Sequence, residues 1–518
     1  MANSQTLVFR ADASVATGTG HVMRCLALAQ AWQDGGGEVV CAMAESTLAI
    51  CDRLSSEGVE IVSLKAGAGS SEDAAEVSKV AHEHQANWVV VDGYEFDAEY
   101  QRRLKDSGLK VFFVDDNGHA AHYCSDIVLN QNVHATEDLY PSRGSYSRLL
   151  LGPRYAMLRR EFHPWRDWKR KIAPAGRKVL VTMGGSDPDN VTGRVVDALR
   201  FVTLEKLEVT VLVGGSNPYL ESLERAVEHP GAVRFVKNPS NIPELMAWAD
   251  VAVSAAGTTC LEMCFLGLPA LLIDVAANQT PVAEVLDQRN IAIHLGGADQ
   301  VSAETIAREL KSILSSEHAR VEMSRRSREL VDGDGAERVV HAMQSANLHL
   351  RRVEERDCTL LWEWANDPVV RAASFSWKPI PFEQHQKWFA AKMKDRTCLM
   401  FIGENGDEGP VGQFRIECRG SREGEIDVSL AANLRGSGYG STLINLGVRE
   451  VFATTPIERV HAIVRARNQA SIRAFEAAGF VRMCTERVQG HLVFHYLRTR
   501  DQKKGYRASA HVVTGNTV

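Results

Sequence analysis

Thr6-Leu-Val-Phe-Arg10-Ala-Asp12-Ala-Ser14, followed by Thr17-Gly18-Thr-Gly20-His21-Val-Met-Arg24-Cys25, passes from an unbroken apolar run through a glycine turn into an amphipathic stretch carried on by Leu26 and Ala27. Apolar runs without polar alternation suit parallel strands buried on both faces. Gly18 and Gly20 permit the tight turn. His21 is thereby placed at or beside a helix N-terminus, where the dipole disfavours an imidazolium. A neutral imidazole is what a general base needs, although a purely structural histidine fits the same pattern. Asp12, at the strand end, is the rival base. The crevice beyond the carboxyl ends of such strands is where open α/β sheets bind ligands.

The same grammar continues to about residue 345. Apolar runs at Glu38–Met43, Trp88–Asp92, Val111–Asp115, Lys178–Met183, Glu208–Val213, Val251–Ser254 and Ala270–Asp274 alternate with helical stretches. This predicts a doubly wound α/β architecture. The segment Glu161–Arg177 is basic, holds Pro164 and Pro174, and contains no strand run, so it reads as a connection between two α/β halves. Helical Ala336–Ala346 should close the second half. From Leu348 the pattern becomes α+β: a strand at Leu348–Val353, a Trp-rich helix ending at Pro368, strands at Leu399–Glu404, Pro410–Glu417 and Gly424–Leu430, a glycine turn and helix, a strand at Arg459–Val464, a helix, and a last strand at His491–Arg498. The expected domains are 1–165, 166–346 and 347–502, with a polar, disordered tail at 503–518.

Bulk composition narrows the function. With 518 residues the chain exceeds one core. A net charge of −6 argues against a nucleic-acid partner, which would need clustered Lys and Arg. There is no signal-peptide pattern and no run of about 18 apolar residues, so a cytoplasmic enzyme of small molecules is expected, without a membrane partner. The ten cysteines form no Cys-x-x-Cys pair and read as reduced thiols rather than a zinc or disulfide framework. Oligomeric state is left open.

Two constellations carry chemistry. In Ile426-Asp-Val-Ser-Leu430-Ala-Ala-Asn-Leu-Arg435-Gly436-Ser-Gly438-Tyr-Gly440-Ser441-Thr442 a strand enters a glycine turn and a helix, whose N–H groups suit a pyrophosphate. Asn468-Gln-Ala-Ser471 then opens a helix ending in Gly479-Phe480. Together these resemble the coenzyme A motifs of the GNAT superfamily of N-acetyltransferases. The resemblance implies acetyl-CoA as cosubstrate, held by Leu430, Arg435, Gly436, Gly438, Gly440, Ser441, Asn468 and Ser471. Trp362-x-Trp364-x-Asn366-Asp-Pro and His385-x-x-Trp388-Phe389 resemble the branch of ribosomal-protein acetyltransferases, implying that Trp364, Asn366 and His385 border the acceptor amine. His385 packed between Trp377 and Trp388 is the blander reading. A splayed strand after Leu430 can offer an N–H to the thioester oxygen, and Tyr496 is either the general acid or a core tyrosine.

In the first 340 residues, Gly184-Gly185-Ser186-Asp187, Gly257-Thr258-Thr259-Cys-Leu-Glu262 and Asn278-Gln279 resemble the nucleotide half of the GT-B fold in MurG-like enzymes. That implies UDP binding by these residues, with Glu262 on the ribose. Arg10–Ser14, Gly18–Cys25, Val91-Asp-Gly-Tyr94, Asp115-Asp-Asn, Leu151–Tyr155 and Val331–Gly335 resemble the hydrolases that cleave UDP-2,4-diacetamido-2,4,6-trideoxy-β-L-altropyranose in pseudaminic acid biosynthesis. The likeness implies His21 as catalytic base, Tyr94 beside the sugar, and Gly20 and Arg24 in the substrate site. A larger residue is expected where this chain has Gly93, which implies an altered sugar pocket. The fusion of both constellations implies two consecutive steps, N4-acetylation and inverting hydrolysis, without a metal. The rivals are a glycosyltransferase, a sugar-nucleotide sensor joined to an acetyltransferase, and a protein-amine acetyltransferase.

Overall fold

Every unbroken apolar run named above becomes a strand. The computed structural model describes residues 5–500 apart from 15–17, 186, 203, 216, 227–232, 407, 408 and 437. Ser186 and the tail 503–518 therefore lie outside the described residues. The chain divides into two compact units, Met1–Val340 and His341–Val518, and the division falls inside the helix Gly335–Gln344 rather than after 346.

The first unit holds two parallel sheets. One is built from β1 (Thr6–Arg10), β2 (Glu38–Met43), β3 (Glu60–Ser63), β4 (Trp88–Asp92), β5 (Lys110–Val114), β6 (Ile127–Asn130) and β7 (Arg148–Leu151), in the order β3-β2-β1-β4-β5-β6-β7. The other is built from β8 (Lys178–Thr182), β9 (Glu208–Val213), β10 (Val233–Lys237), β11 (Val251–Ala255), β12 (Ala270–Asp274) and β13 (Ile293–Gly297), in the order β10-β9-β8-β11-β12-β13. All residues of β1, β4, β11 and β12 are buried, as expected of strands covered by helices on both faces. In each sheet the strand order reverses beside the first strand, between β1 and β4 and between β8 and β11. Such switch points open a crevice at the carboxyl ends. The connection after β7 contains only 3-10 turns before β8, which agrees with its prolines and lack of an apolar run.

The second unit is one mixed sheet of β14 (His349–Arg352), β15 (Cys398–Asn405), β16 (Gly409–Arg419), β17 (Glu423–Leu430), β18 (Arg459–Arg465), β19 (Val481–Val488) and β20 (His491–Thr499), ordered β14-β15-β16-β17-β18-β20-β19. β17 and β18 are parallel; the other pairs are antiparallel. β19 is absent from the sequence expectation. It is an edge strand exposed along nearly its whole length, so it lacks the apolar alternation that would reveal it. Its turn, Gln489-Gly490, has positive φ at both residues, the signature of a tight hairpin. At Pro368 the predicted helix stops, but a second helix, Pro368–Ala373, starts there with Asp367 accepting from the Val369 and Val370 N–H groups.

All ten cysteines are free. Among the described residues no helix is long and apolar enough to cross a membrane, and no group of three or more His, Cys, Asp or Glu side chains is placed to hold a metal ion.

Candidate functional site

The switch point of the first sheet brings two sequence motifs together. His21 is the second residue of the helix Gly20–Asp34 that follows β1, and Asp92 is the last residue of β4, the strand beside β1. His21 Nδ1 lies 2.6 Å from Asp92 Oδ1. Arg24 sits one helical turn after His21 on the same face. Its Nε donates to Asp92 Oδ2 at 2.5 Å and its Nη2 to Oδ1 at 2.6 Å, while Nη1 reaches Asp116 Oδ1 at 2.8 Å. Burial opposes charge on Asp92, but Arg24 and then His21 outweigh it and hold the carboxyl well below the usual range. Asp116 is lowered in the same way, Arg24 overcoming burial. An ionised Asp92 accepts the Nδ1 proton and leaves the Nε2 lone pair free to take one. His21 Nε2 has no hydrogen-bond partner among the described residues.

The network continues outward. The Tyr94 hydroxyl donates to Asp116 Oδ2 at 3.0 Å and accepts from Asn278 Nδ2 at 2.7 Å, so a residue of the second sheet's loops reaches the first. The Tyr94 ring meets His21 edge-on at 5.1 Å. Burial, then Asp116, raise the phenol well above its ordinary value, which makes Tyr94 a neutral donor and not a base. Asn132 Nδ2 donates to Asp116 Oδ1 at 2.7 Å. Asp92, Asp116 and Asn132 were not among the expected site residues. The two acids stood inside quoted stretches, and their signal was a carboxylate at or just beyond the end of a buried parallel strand.

Two expectations change. The rival base Asp12 accepts from the Ala44 and Glu45 N–H groups at 2.7 and 3.0 Å and pairs with buried Arg10 at 2.7 Å, so its carboxylate holds the loop after β2. Arg24 is buried between two carboxylates and orients the site instead of facing a ligand. At Gly93 a Cβ would stand 2.7 Å from the Phe96 ring and 2.8 Å from the Glu95 carboxylate, so a larger residue would require these side chains to shift.

The glycines after β8 border this cleft. A Cβ at Gly185 would lie 2.7 Å from Thr19 Oγ1, in the turn that presents His21, whereas a Cβ at Gly184, φ +90°, would meet nothing within 4 Å. Gly257 is similarly open, and Thr258 precedes the helix Thr259–Phe265 that carries Glu262. Glu262 Oε1 accepts from Arg159 Nη2 at 2.8 Å, and burial raises its pKa against the pull of Arg159. Arg159 is a second residue that no motif pointed to. Gln279 Oε1 accepts from the Val275 N–H at 3.1 Å and so shapes the loop that presents Asn278.

In the second unit β17 pairs with β18 only from Glu423 to Glu425, and the strands then diverge. Ala431 donates across to Val411 on the β16 side at 2.8 Å. By strand alternation the Leu430 N–H then faces the gap. The helix Tyr439–Thr454 starts beside it, and a Cβ at Gly440 would lie 3.4 Å from Ala474 and 3.7 Å from Leu430. The gap, the glycine turn and the helix after Asn468 therefore converge. Gly436 and Gly438 have positive φ; a Cβ at Gly438 would meet His341 at 2.8 Å, while Gly436 faces open space. Among the described residues Ser441 Oγ reaches only back to the Gly438 carbonyl, at 3.5 Å.

Comparison with known proteins agrees with this division. Residues 347–481 match the acetyltransferase (GNAT) domain family, and residues 179–339 match the glycosyltransferase family 28 C-terminal domain. A UDP-2,4-diacetamido-2,4,6-trideoxy-β-L-altropyranose hydrolase of Campylobacter jejuni is 24% identical over 289 residues, 55% of this chain and 98% of that protein. The chain joins a nucleotide-sugar-hydrolase-like unit to a GNAT domain. An uncharacterized protein of Methanocaldococcus jannaschii is 21% identical over 479 residues, 90% of this chain and 95% of its own length. A spermidine N-acetyltransferase of Vibrio cholerae, solved with CoA and spermine, covers 30% of this chain and 96% of its own at 18% identity and a TM-score of 0.28.

Within the GNAT domain the side chains expected at the acceptor are structural. Trp364 is buried core. Asn366 clamps Ile380, accepting from its N–H at 2.7 Å and donating to its carbonyl at 3.1 Å. His385 is 3% exposed, stacked near Trp388 and Phe389, while Trp377 is exposed and does not enclose it. Arg435 pairs with Asp367 at 2.7 Å, and Asn468 caps its helix by accepting from the Ser471 N–H at 3.1 Å. The Tyr496 hydroxyl donates to Glu476 at 2.9 Å; burial, then Glu476, push its pKa up to about 12, and the ring stacks on Phe475 in the core. Its proton is directed at Glu476, so this geometry favours the core reading.

Proposed function

We propose that the chain carries out two consecutive steps on one nucleotide sugar. The GNAT domain acetylates the 4-amine of a UDP-4-amino-4,6-dideoxy-N-acetyl-altrosamine with acetyl-CoA. The N-terminal unit then hydrolyses the product to UDP and the free 2,4-diacetamido sugar, with inversion, in the cytoplasm. The observation that carries the reading is the His21–Asp92 pair at a switch point, facing the glycines after β8.

In the hydrolytic step His21 Nε2 takes a proton from water as the water oxygen bonds to the anomeric carbon. Asp92 balances the imidazolium and fixes its tautomer, as a buried carboxylate does in triads. The C1–O bond breaks, and the Gly184–Gly185 turn, with Gly257 and Thr258, offers backbone N–H groups to the β-phosphate as its charge grows. Glu262 exchanges Arg159 for the ribose hydroxyls. Tyr94 and Asn278 close over the sugar. In the acetyl step the neutral amine attacks the thioester carbon, whose oxygen meets the Leu430 N–H; the C–S bond breaks, and the proton lost by the amine ends on the departing sulfur as the coenzyme A thiol. The turn from Gly436 to Gly440 receives the coenzyme's pyrophosphate.

The match to a glycosyltransferase domain favours one rival, transfer of the sugar to an acceptor in place of water. Incubating pre-acetylated UDP-sugar with the full chain and no acceptor separates the two. Stoichiometric UDP release is expected; release that requires an added acceptor would transfer the assignment to the rival.

A further inference from the structure

The helix Pro368–Ala373 spans the open end of the gap between β17 and β18. At one end Asp367 pairs with Arg435, whose Nη2 also donates to the Leu430 carbonyl at 3.2 Å, the last residue of β17. At the other end the Ala372 carbonyl accepts from Arg465 Nη1 at 2.8 Å, the last residue of β18, and from Arg467 Nη2 at 2.6 Å. The chain then runs outward through Phe375, 39% exposed and lying beneath the Arg465 guanidinium at 5.5 Å, to Trp377, 75% exposed.

The charge around these rings is one-sided. Neither Arg465 nor Arg467 has an acidic partner among the described residues, and both converge on a single carbonyl. Burial, then the neighbouring Arg467, lower the Arg465 pKa, as expected where guanidiniums crowd without a counter-charge. Among the described residues Arg371 bonds only to the Ala365 and Ser376 carbonyls and Ser374 Oγ, and Lys378 follows Trp377. Asp367, the acid of the segment, is occupied by Arg435. An exposed indole two residues beyond Phe375, on a segment anchored by guanidiniums that have no acidic partner among the described residues, matches a base that stacks and phosphates that take charge-assisted hydrogen bonds.

We propose that Trp377, with Arg465 and Arg467, forms the subsite for the nucleoside diphosphate end of the acetyl acceptor. The inference rests on the reading that this acceptor is a nucleotide-linked amino sugar. It places the specificity of the GNAT domain in the nucleotide, which the acetylated product still carries.

The test measures coenzyme A release by the full chain with two acceptors, the UDP-linked 4-amino sugar and the same sugar free of UDP. The wild type should prefer the linked acceptor at least tenfold in kcat/KM. Trp377→Ala and Arg467→Gln should each lower kcat/KM for the linked acceptor about tenfold, mainly through KM. The free sugar, the KM for acetyl-CoA and UDP release from pre-acetylated substrate should not change. Equal rates on both acceptors in the wild type, an unchanged preference in both variants, or equal loss with both acceptors would each overturn the subsite. If the wild type acetylates neither sugar but does acetylate another amine, the proposed function fails and the subsite falls with it.

Discussion

The cleft of the hydrolase-like unit and the gap of the GNAT domain solve their problems with different materials. In the cleft the polar groups are side chains: His21, Asp92, Arg24, Asp116, Tyr94 and Asn278 form one hydrogen-bonded series. In the gap the groups left open are main-chain: the Leu430 N–H, where β17 parts from β18, and the backbone at Gly436, Gly438 and Gly440. The polar side chains there, Asn366, Asn468 and Tyr496, are occupied in holding the fold. Water attack on an anomeric carbon needs a group that accepts a proton. Acyl transfer from a thioester needs chiefly a shaped, donor-lined slot. Side-chain substitutions should therefore damage the first site far more than the second.

The sharpest way to break this contrast is Asp92→Asn. An amide can donate towards Nδ1 and move the imidazole proton to Nε2, the wrong tautomer for a base. UDP release should fall roughly 10²-fold or more, within the range for general-base catalysis, with acetylation unchanged. A loss below about threefold in a steady-state assay would detach Asp92 from the mechanism.

The second site should respond to backbone space instead. Gly440→Val places branched carbons between Leu430 and Ala474, where the coenzyme slot converges. The KM for acetyl-CoA should rise about tenfold while hydrolysis of pre-acetylated substrate is unaffected. Gly438 is a poorer probe, because its positive φ and its approach to His341 would add strain of their own. Unaltered coenzyme affinity in Gly440→Val, read by calorimetry, would remove the turn from the site.

The charge network also sets a pH dependence of stability. Burial raises and Arg24 lowers the pKa of Asp92 and Asp116, the net shift being downward. The unfolded chain then binds more protons in acid, so this contribution is complete above the unfolded carboxyl pKa of about 4 and is lost as pH falls below it. Urea unfolding of the first unit should lose about 1–2 kcal/mol between pH 5 and pH 3 from this source. Arg24→Met should flatten that slope; an unchanged slope would show that the carboxylates are not coupled to Arg24.

The smallest effect is expected at His385. Its Nε2 is buried without a partner among the described residues, its ring lies against Trp388 and Phe389, and burial lowers its pKa. His385→Phe should cost about 1 kcal/mol through the lost contact with the Cys358 backbone, and acetylation should stay within twofold. A tenfold loss of rate would restore the histidine to the acceptor pocket.

How much of this was legible follows the same division. The strands of the first unit stand out because strands buried on both faces read as unbroken apolar runs, and the glycine turns mark where the sheet order reverses. Asp92 and Asp116 stayed unnoticed, although both lay in stretches already singled out, because pairing across 68 and 92 residues is a product of topology and leaves no local periodicity. Edge strand β19 escaped because neither face is buried. Trp364, Asn366 and His385 differ for another reason: motif positions convey residue type, whereas orientation is set by packing onto the sheet, and here Trp364 and His385 are buried and Asn366 holds Ile380.

The most direct test of the central claim is mass spectrometry of the products formed from UDP-4-amino-4,6-dideoxy-N-acetyl-altrosamine and acetyl-CoA by the wild type and His21→Asn. The wild type should yield coenzyme A, UDP and the free diacetamido sugar, while His21→Asn should accumulate the acetylated sugar still linked to UDP. Release of UDP by His21→Asn within about threefold of the wild-type rate, or failure of the wild type to acetylate any UDP-amino sugar, would contradict the account.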